Sequence, residues 1–200
     1  MLIVAVCLLV VALVPLCGRS LRRLGDLPLT QNWLVIAALA VQTFVVSFPP
    51  VGPGWLYRVL HLGSYVGLGV YLWLNRSTSW LWVVALGGGM NAVAITVNRG
   101  VMPASTVALH AAGLAPEASY ANSAVLDAPH FAMLGDQFNT PRGLPLANVF
   151  SMGDIVIVAG LAMVVFAASK RRPSAGTAGA PQVTRRPRAW IEAGEGVRQA

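Results

Sequence analysis

Five apolar runs, roughly residues 1–17, 32–48, 56–74, 80–97 and 150–168, constrain this chain more than any motif within it. Together they hold one basic residue, Arg58, and one acidic residue, Asp154. Runs of this length with so little charge read as helices that satisfy their own backbone in lipid. Composition agrees: of 200 residues 56% are hydrophobic and only 10% charged, against roughly 25% charged in soluble domains. The expected fold class is an all-α membrane protein, a bundle of about five transmembrane helices. A long ordered extracytoplasmic loop over 98–147 and a disordered basic tail over 170–200 complete the expected organisation.

The flanks of the runs orient that arrangement. A cleaved signal peptide carries its positive charge before the apolar core; here Arg19, Arg22 and Arg23 follow it. Taken in alternation, one side receives those three with Arg76, Lys170, Arg171 and Arg172, and the other receives Arg58, Arg99 and Arg142. The positive-inside rule makes the first group cytoplasmic. The expectation is a multi-pass inner or plasma membrane protein with its N-terminus outside and its C-terminus cytoplasmic. The net charge of +7 then points to anionic lipid for the tail. Basic residues and aromatics are not interleaved to track a phosphate backbone, which argues against nucleic acid. Cys7 and Cys17, separated by about 15 Å if helical, are too far apart to bridge each other.

Polar residues inside the runs are the candidate functional positions. Gln42 and Thr43 read as interhelical hydrogen-bonding groups, and His61 as an imidazole near an interface. Gly63-x-x-x-Gly67 with Gly69, and Gly87-Gly88-Gly89, give two helices small-residue faces that admit a neighbouring backbone. Asn91 and Asn98, seven residues apart, share one helix face, and Asn91 requires a partner.

The stretch Asn148–Gly160, NVFSMGDIVIVAG, closes the polar segment and opens the last run. Ser151 and Asp154 are spaced for a capping box, with the carboxylate at the positive end of the helix dipole. Arg99 is the expected ion-pair partner of Asp154, tying the fourth run to the fifth. Glu117, Asp127, His130 and Asp136 lie in the same polar segment. Asp127-x-x-His130 followed by Asp136 offers ligand types a metal uses, but matches no established closed site; no metal and no cofactor is expected.

Two resemblances attach to these residues. The ordered set Leu74-Asn75-Arg76, Gly88-x-x-Asn91, Asn98-Arg99-Gly100-x-Met102-Pro103, Leu134-Gly135-Asp136 and Ser151-x-Gly153-Asp154 resembles a family of small bacterial membrane proteins catalogued as domain of unknown function 5317. The likeness covers most of residues 1–169 and implies a multi-span membrane domain without an assigned activity. A second likeness is partial. Asn148-Val149-x-x-x-Gly153-Asp154 with Gly160 resembles the last box of signal peptidase II, a membrane aspartic protease, and Gly88-Gly89-Met90-Asn91 faintly resembles its preceding box. That family places its first catalytic Asp three residues after the Asn, where this chain has Ala94.

The functional expectation is an uncharacterised integral membrane protein acting as a non-enzymatic accessory or scaffolding subunit. Its Gly-rich helix faces would meet a membrane-protein partner within the lipid bilayer. The alternatives are an aspartic-type hydrolase using Asp154 with Asp136, and a small transporter. The second is disfavoured because no run holds a charge near its middle, where charges mark substrate pathways.

Overall fold

A computed structural model describes residues 2–47, 53–115, 123–143 and 147–170. The chain divides into two units, Met1–Lys170 and Arg171–Ala200, and every described residue lies in the first. Residues 48–52, Glu117, and the tail beyond Lys170 lie outside the described residues.

Helices occupy the apolar runs: α1 Leu2–Leu16, α2 Asn32–Ser47, α3 Gly54–Leu74, α4 Leu81–Val97 and α6 Met152–Ala168. Between α4 and α6 the polar segment folds into a cap. It comprises β1 Met102–Pro103, the short helix α5 Thr106–Ala112, β2 Ser123–Ala124, β3 Asp136–Asn139 and β4 Val149–Ser151. β1 pairs with β2 in parallel, and β3 with β4 antiparallel.

The reading of five membrane spans is overturned: no helix among the described residues is long and apolar enough to cross a membrane. α1, α2, α4 and α6 have 15, 16, 17 and 17 residues. At 1.5 Å per residue they reach about 22–26 Å, short of a hydrocarbon core of about 30 Å. α3 has 21 residues, but Arg58, His61, Ser64, Tyr65 and four glycines dilute its apolar character. The runs overstate the helices because their ends do other work. Gly18 turns the chain with φ +68° after α1, and Phe150 and Ser151 belong to a strand rather than to α6. The all-α class is corrected as well, since four short strands organise the cap.

Local chemistry explains the remaining boundaries. Ser105 caps α5 by accepting from the Ala108 N–H, and Gly113 ends it at φ +75°; glycine takes that left-handed conformation without a Cβ penalty. α4 ends in two successive left-handed residues, Arg99 (φ 58°) and Gly100 (φ +92°). The Gly100 amide returns to the Ile95 carbonyl at 2.8 Å. At the far end of α6, guanidinium groups of Arg19 and Arg23 donate to the carbonyls of Phe166 and Lys170. Cations there satisfy the free carbonyls and the negative end of the dipole.

Packing follows two pairs. α2 and α3 form one, joined at one end by Asn75: its amide accepts from the Thr30 N–H at 2.7 Å and donates to the Thr30 carbonyl at 3.0 Å. α4 and α6 form the other, with α1 against α6. A Cβ at Gly87 would lie 2.6 Å from the Gly153 carbonyl oxygen, and one at Gly160 would lie 2.7 Å from the Val84 nitrogen. These helices meet backbone to backbone.

Candidate functional site

The α4–α6 contact brings Asn91 to the first turn of α6. Ser151 accepts from the Asp154 N–H at 3.0 Å, and Asp154 Oδ2 accepts from the Ser151 N–H at 3.0 Å, forming a reciprocal capping box. Asn91 closes the ring. Its Nδ2 donates to Asp154 Oδ1 at 2.7 Å, and its Oδ1 accepts from Ser151 Oγ at 2.8 Å. Asn91 is 6% exposed and Ser151 wholly buried, so both amide groups and the hydroxyl are satisfied where an orphan would cost about 1–3 kcal/mol. Gly153 makes the approach feasible: a Cβ there would sit 2.0 Å from Asn91 Oδ1.

Asp136 enters through the β hairpin. It is the register partner of Ser151, its carbonyl accepts from the Ser105 N–H, and it bridges Ala104 of the β1 region. Its Oδ2 accepts from Ser123 Oγ at 2.6 Å. Buried at 8% exposure, its carboxyl is pushed up to about 7, chiefly by burial and further by the Asp154 charge, while the Ser123 hydrogen bond opposes the rise. Tyr65 of α3 completes the cluster; burial, then the charges of Asp154 and Asp136, raise its hydroxyl. Asp136 and Asp154 therefore share one electrostatic neighbourhood.

The other expected residues fall elsewhere. Arg99 is exposed in the α4 terminus, and the partners of Asp154 are Asn91 and Ser151 instead. Asn98 clips the cap: it accepts from the His130 N–H at 2.9 Å and donates to the His130 carbonyl at 2.8 Å. Asp127 and His130 are exposed while Asp136 is buried. Among the described residues no group of three or more His, Cys, Asp or Glu is placed to hold a metal. His61 is buried rather than interfacial, edge-on to Tyr65 with ring centroids 5.4 Å apart. Neither of its ring nitrogens has a hydrogen-bond partner among the described residues, and burial lowers its pKa.

Sequence reasoning missed Tyr65, Ser123 and the clip made by Asn75. Only Tyr65 left a usable trace, since Arg58, Leu62 and Tyr65 recur at helical spacing on one face of α3. That face meets the cluster of Ala94, Ile95 and Met102, and the Arg58 side chain covers Gly100.

The quoted motifs now have physical reasons. Gly135 fits because a Cβ would lie 2.1 Å from the Pro103 carbonyl oxygen, and Met102 and Pro103 are buried within the cap. A family model described as a family of unknown function, DUF5317, matches residues 26–166. The chain belongs to that family. The matched region contains Asn75, Asn91, Asn98, Asp136, Ser151 and Asp154, the residues that tie the helices and the cap together. No curated protein and no solved structure matches the chain. The resemblance to signal peptidase II finds no support in these comparisons. Ala94, at the position of that family's first Asp, is fully buried against Ile95 and Met102.

Proposed function

We propose that this protein is a non-enzymatic accessory or scaffolding subunit that binds a protein partner through its apolar helix faces. One observation carries the reading: large apolar side chains stand in the open along α1, α2 and α3, with Leu8 65%, Trp33 61%, Ile36 67%, Val66 67% and Trp73 67% exposed. Contiguous apolar surface beyond a few hundred Å² marks an interaction site. The polar side chains of Asn91, Ser151 and Asp154, by contrast, are spent on one another.

Photo-crosslinkers at Ile36 and Val66 test it. The expected result is one discrete protein adduct from both positions and none from exposed Asp127. A chain that stays monomeric and yields no adduct from either position overturns the reading. Adducts to lipid alone replace the protein partner with a lipid surface.

A second reading, an aspartic-type hydrolase, draws on the Asp136–Asp154 neighbourhood, because a water-activating pair needs one neutral and one charged carboxyl. Hydrolysis of a peptide or ester panel that survives in both Asp154→Asn and Asp136→Asn eliminates it.

A further inference from the structure

We propose that Asp136 is a proton-operated latch: its neutral carboxyl holds the cap strands on the start of α6, and its ionisation beside Asp154 weakens that hold. The placement of Asp136 is what makes it a latch. Four segments meet at this one residue. Its backbone pairs with Ser151 at the α6 N-cap and bridges Ala104. Its carbonyl takes the Ser105 N–H that opens α5, and its carboxyl takes the Ser123 hydroxyl of β2. Anything that disfavours its burial loosens all four together.

Among the described residues, the groups facing it offer no positive charge to hold an ionised form. Asp154 of α6 contributes a like charge, and Tyr65 of α3 contributes a hydroxyl kept protonated by burial and then by the same two carboxylates. His110, the titratable residue of neighbouring α5, is exposed. The Ser123 hydrogen bond survives either state, since a neutral carboxyl also donates to a hydroxyl. A charge on buried Asp136 beside the partly buried Asp154, by contrast, is relieved only by separation or by water. The cap is the part free to give way: β1 and β2 contribute two residues each and β3 four, and short strands with few ladder bonds open at low cost.

The direction follows from linkage. The docked cap holds the Asp136 proton up to about pH 7, whereas a solvated Asp releases it near 3.9. Between those limits the open cap binds fewer protons, so opening grows as pH rises, by at most about tenfold per unit for one proton. Above about pH 7 both forms are ionised and the effect levels off.

Hydrogen–deuterium exchange on the full chain, corrected for intrinsic rates, tests this from about pH 5 to about pH 8. Amides of residues 123–124, 136–139 and 149–151 should lose protection up to about tenfold per unit and then plateau near neutrality. Asp136→Asn should abolish the slope and keep the strands protected. Ser123→Ala removes the bond that favours the charged form, so its plateau should move to higher pH. Flat protection in the wild type, or an unchanged slope in Asp136→Asn, overturns the latch. If Asp136→Asn does not fold, a Ser123→Ala plateau that stays in place overturns it alone.

Discussion

Two glycine-bearing regions of this chain behave in opposite ways. At the α4–α6 contact, Gly87, Gly153 and Gly160 are consumed: a Cβ at any of them would meet backbone or Asn91 at 2.0–2.7 Å. On α3, Gly63, Gly67 and Gly69 have nothing within 4 Å of where a Cβ would stand, and the same holds for Gly88 and Gly89 on the outer side of α4. By pattern alone the α3 set, with its Gly63-x-x-x-Gly67 spacing, is the better packing motif. What distinguishes the regions is a polar anchor. Asn91 reaches two groups of the α6 first turn at once, which sets the angle and depth at which the helices approach. Small residues permit a close approach; a satisfied polar bridge selects where it happens. On the glycine face of α3 the permission is present without such a bridge among the described residues, since Tyr71 and Asn75 reach Asn32 and Thr30 from elsewhere on the helix, and its apolar neighbours Val66 and Val70 remain exposed.

The sharpest way to break the contrast is to add a methyl on each side. Gly153→Ala drives a Cβ into Asn91 Oδ1, and the backbone of α4 behind it cannot yield without losing the helix pair. The expected cost is about 3 kcal/mol or more, read as a lowered midpoint in chemical denaturation or as failure to fold. Gly153→Ala with wild-type stability would show that α4 and α6 do not meet as described.

Asn91→Ala comes next. It opens space without a clash but strands Ser151 Oγ and Asp154 Oδ1 beside a buried backbone. Losing two buried hydrogen bonds, one to a carboxylate, costs about 2–4 kcal/mol. The loss should be non-additive with Ser151→Ala, because both substitutions remove the same bond. A double-mutant cycle that closes to zero would deny the bridge its role.

How far these regions could be read from residues alone depends on how local each signal is. Ser151 and Asp154 lie one turn apart, so their capping box needed no tertiary knowledge. The helices other than α5 were legible from their apolar runs. The span reading failed because it assumed each apolar run to be helix from end to end. Composition does not show that Phe150 and Ser151 are paired with β3, or that α3 dilutes its length with Arg58, His61 and glycine. The approach of Asp136 to Asp154 was illegible for a different reason. It depends on the register that sets Asp136 opposite Ser151, across strands of four and three residues, too short to carry alternation. The clip made by Asn75 was illegible because its partner, Thr30, lies 45 positions away.

A third prediction concerns pH, and it separates the cap end of the α4–α6 region from the α3 face. A carboxyl with a folded pKa near 7 and an unfolded one near 3.9 leaves the folded chain holding more protons between those values. Its stabilising contribution is complete below about 3.9, declines as pH rises, and is gone above about 7. Denaturation midpoints of the wild type should therefore carry a falling component from about pH 4 to about pH 7 that Asp136→Asn lacks. Substitutions on the α3 face should leave that component unchanged. A difference profile between wild type and Asp136→Asn that is flat, or that rises with pH, contradicts the burial of a neutral Asp136.

The smallest expected effect sharpens the comparison from the other side. Gly67→Ala sits in a helix interior with open space around the added methyl, so it meets no clash and removes backbone entropy from the unfolded chain. The gain is up to about 1 kcal/mol, small beside the loss at Gly153 but opposite in sign. In the isolated chain, then, the α3 glycines are a liability, and no packing among the described residues offsets them. If the α3 face binds a partner as proposed, the same Ala should weaken crosslinking from Val66 even as it raises the denaturation midpoint, because a methyl there holds an approaching backbone away. Raised stability with undiminished crosslinking would place the partner on a different helix face, and the neighbouring Ile36 surface of α2 would become the one to probe.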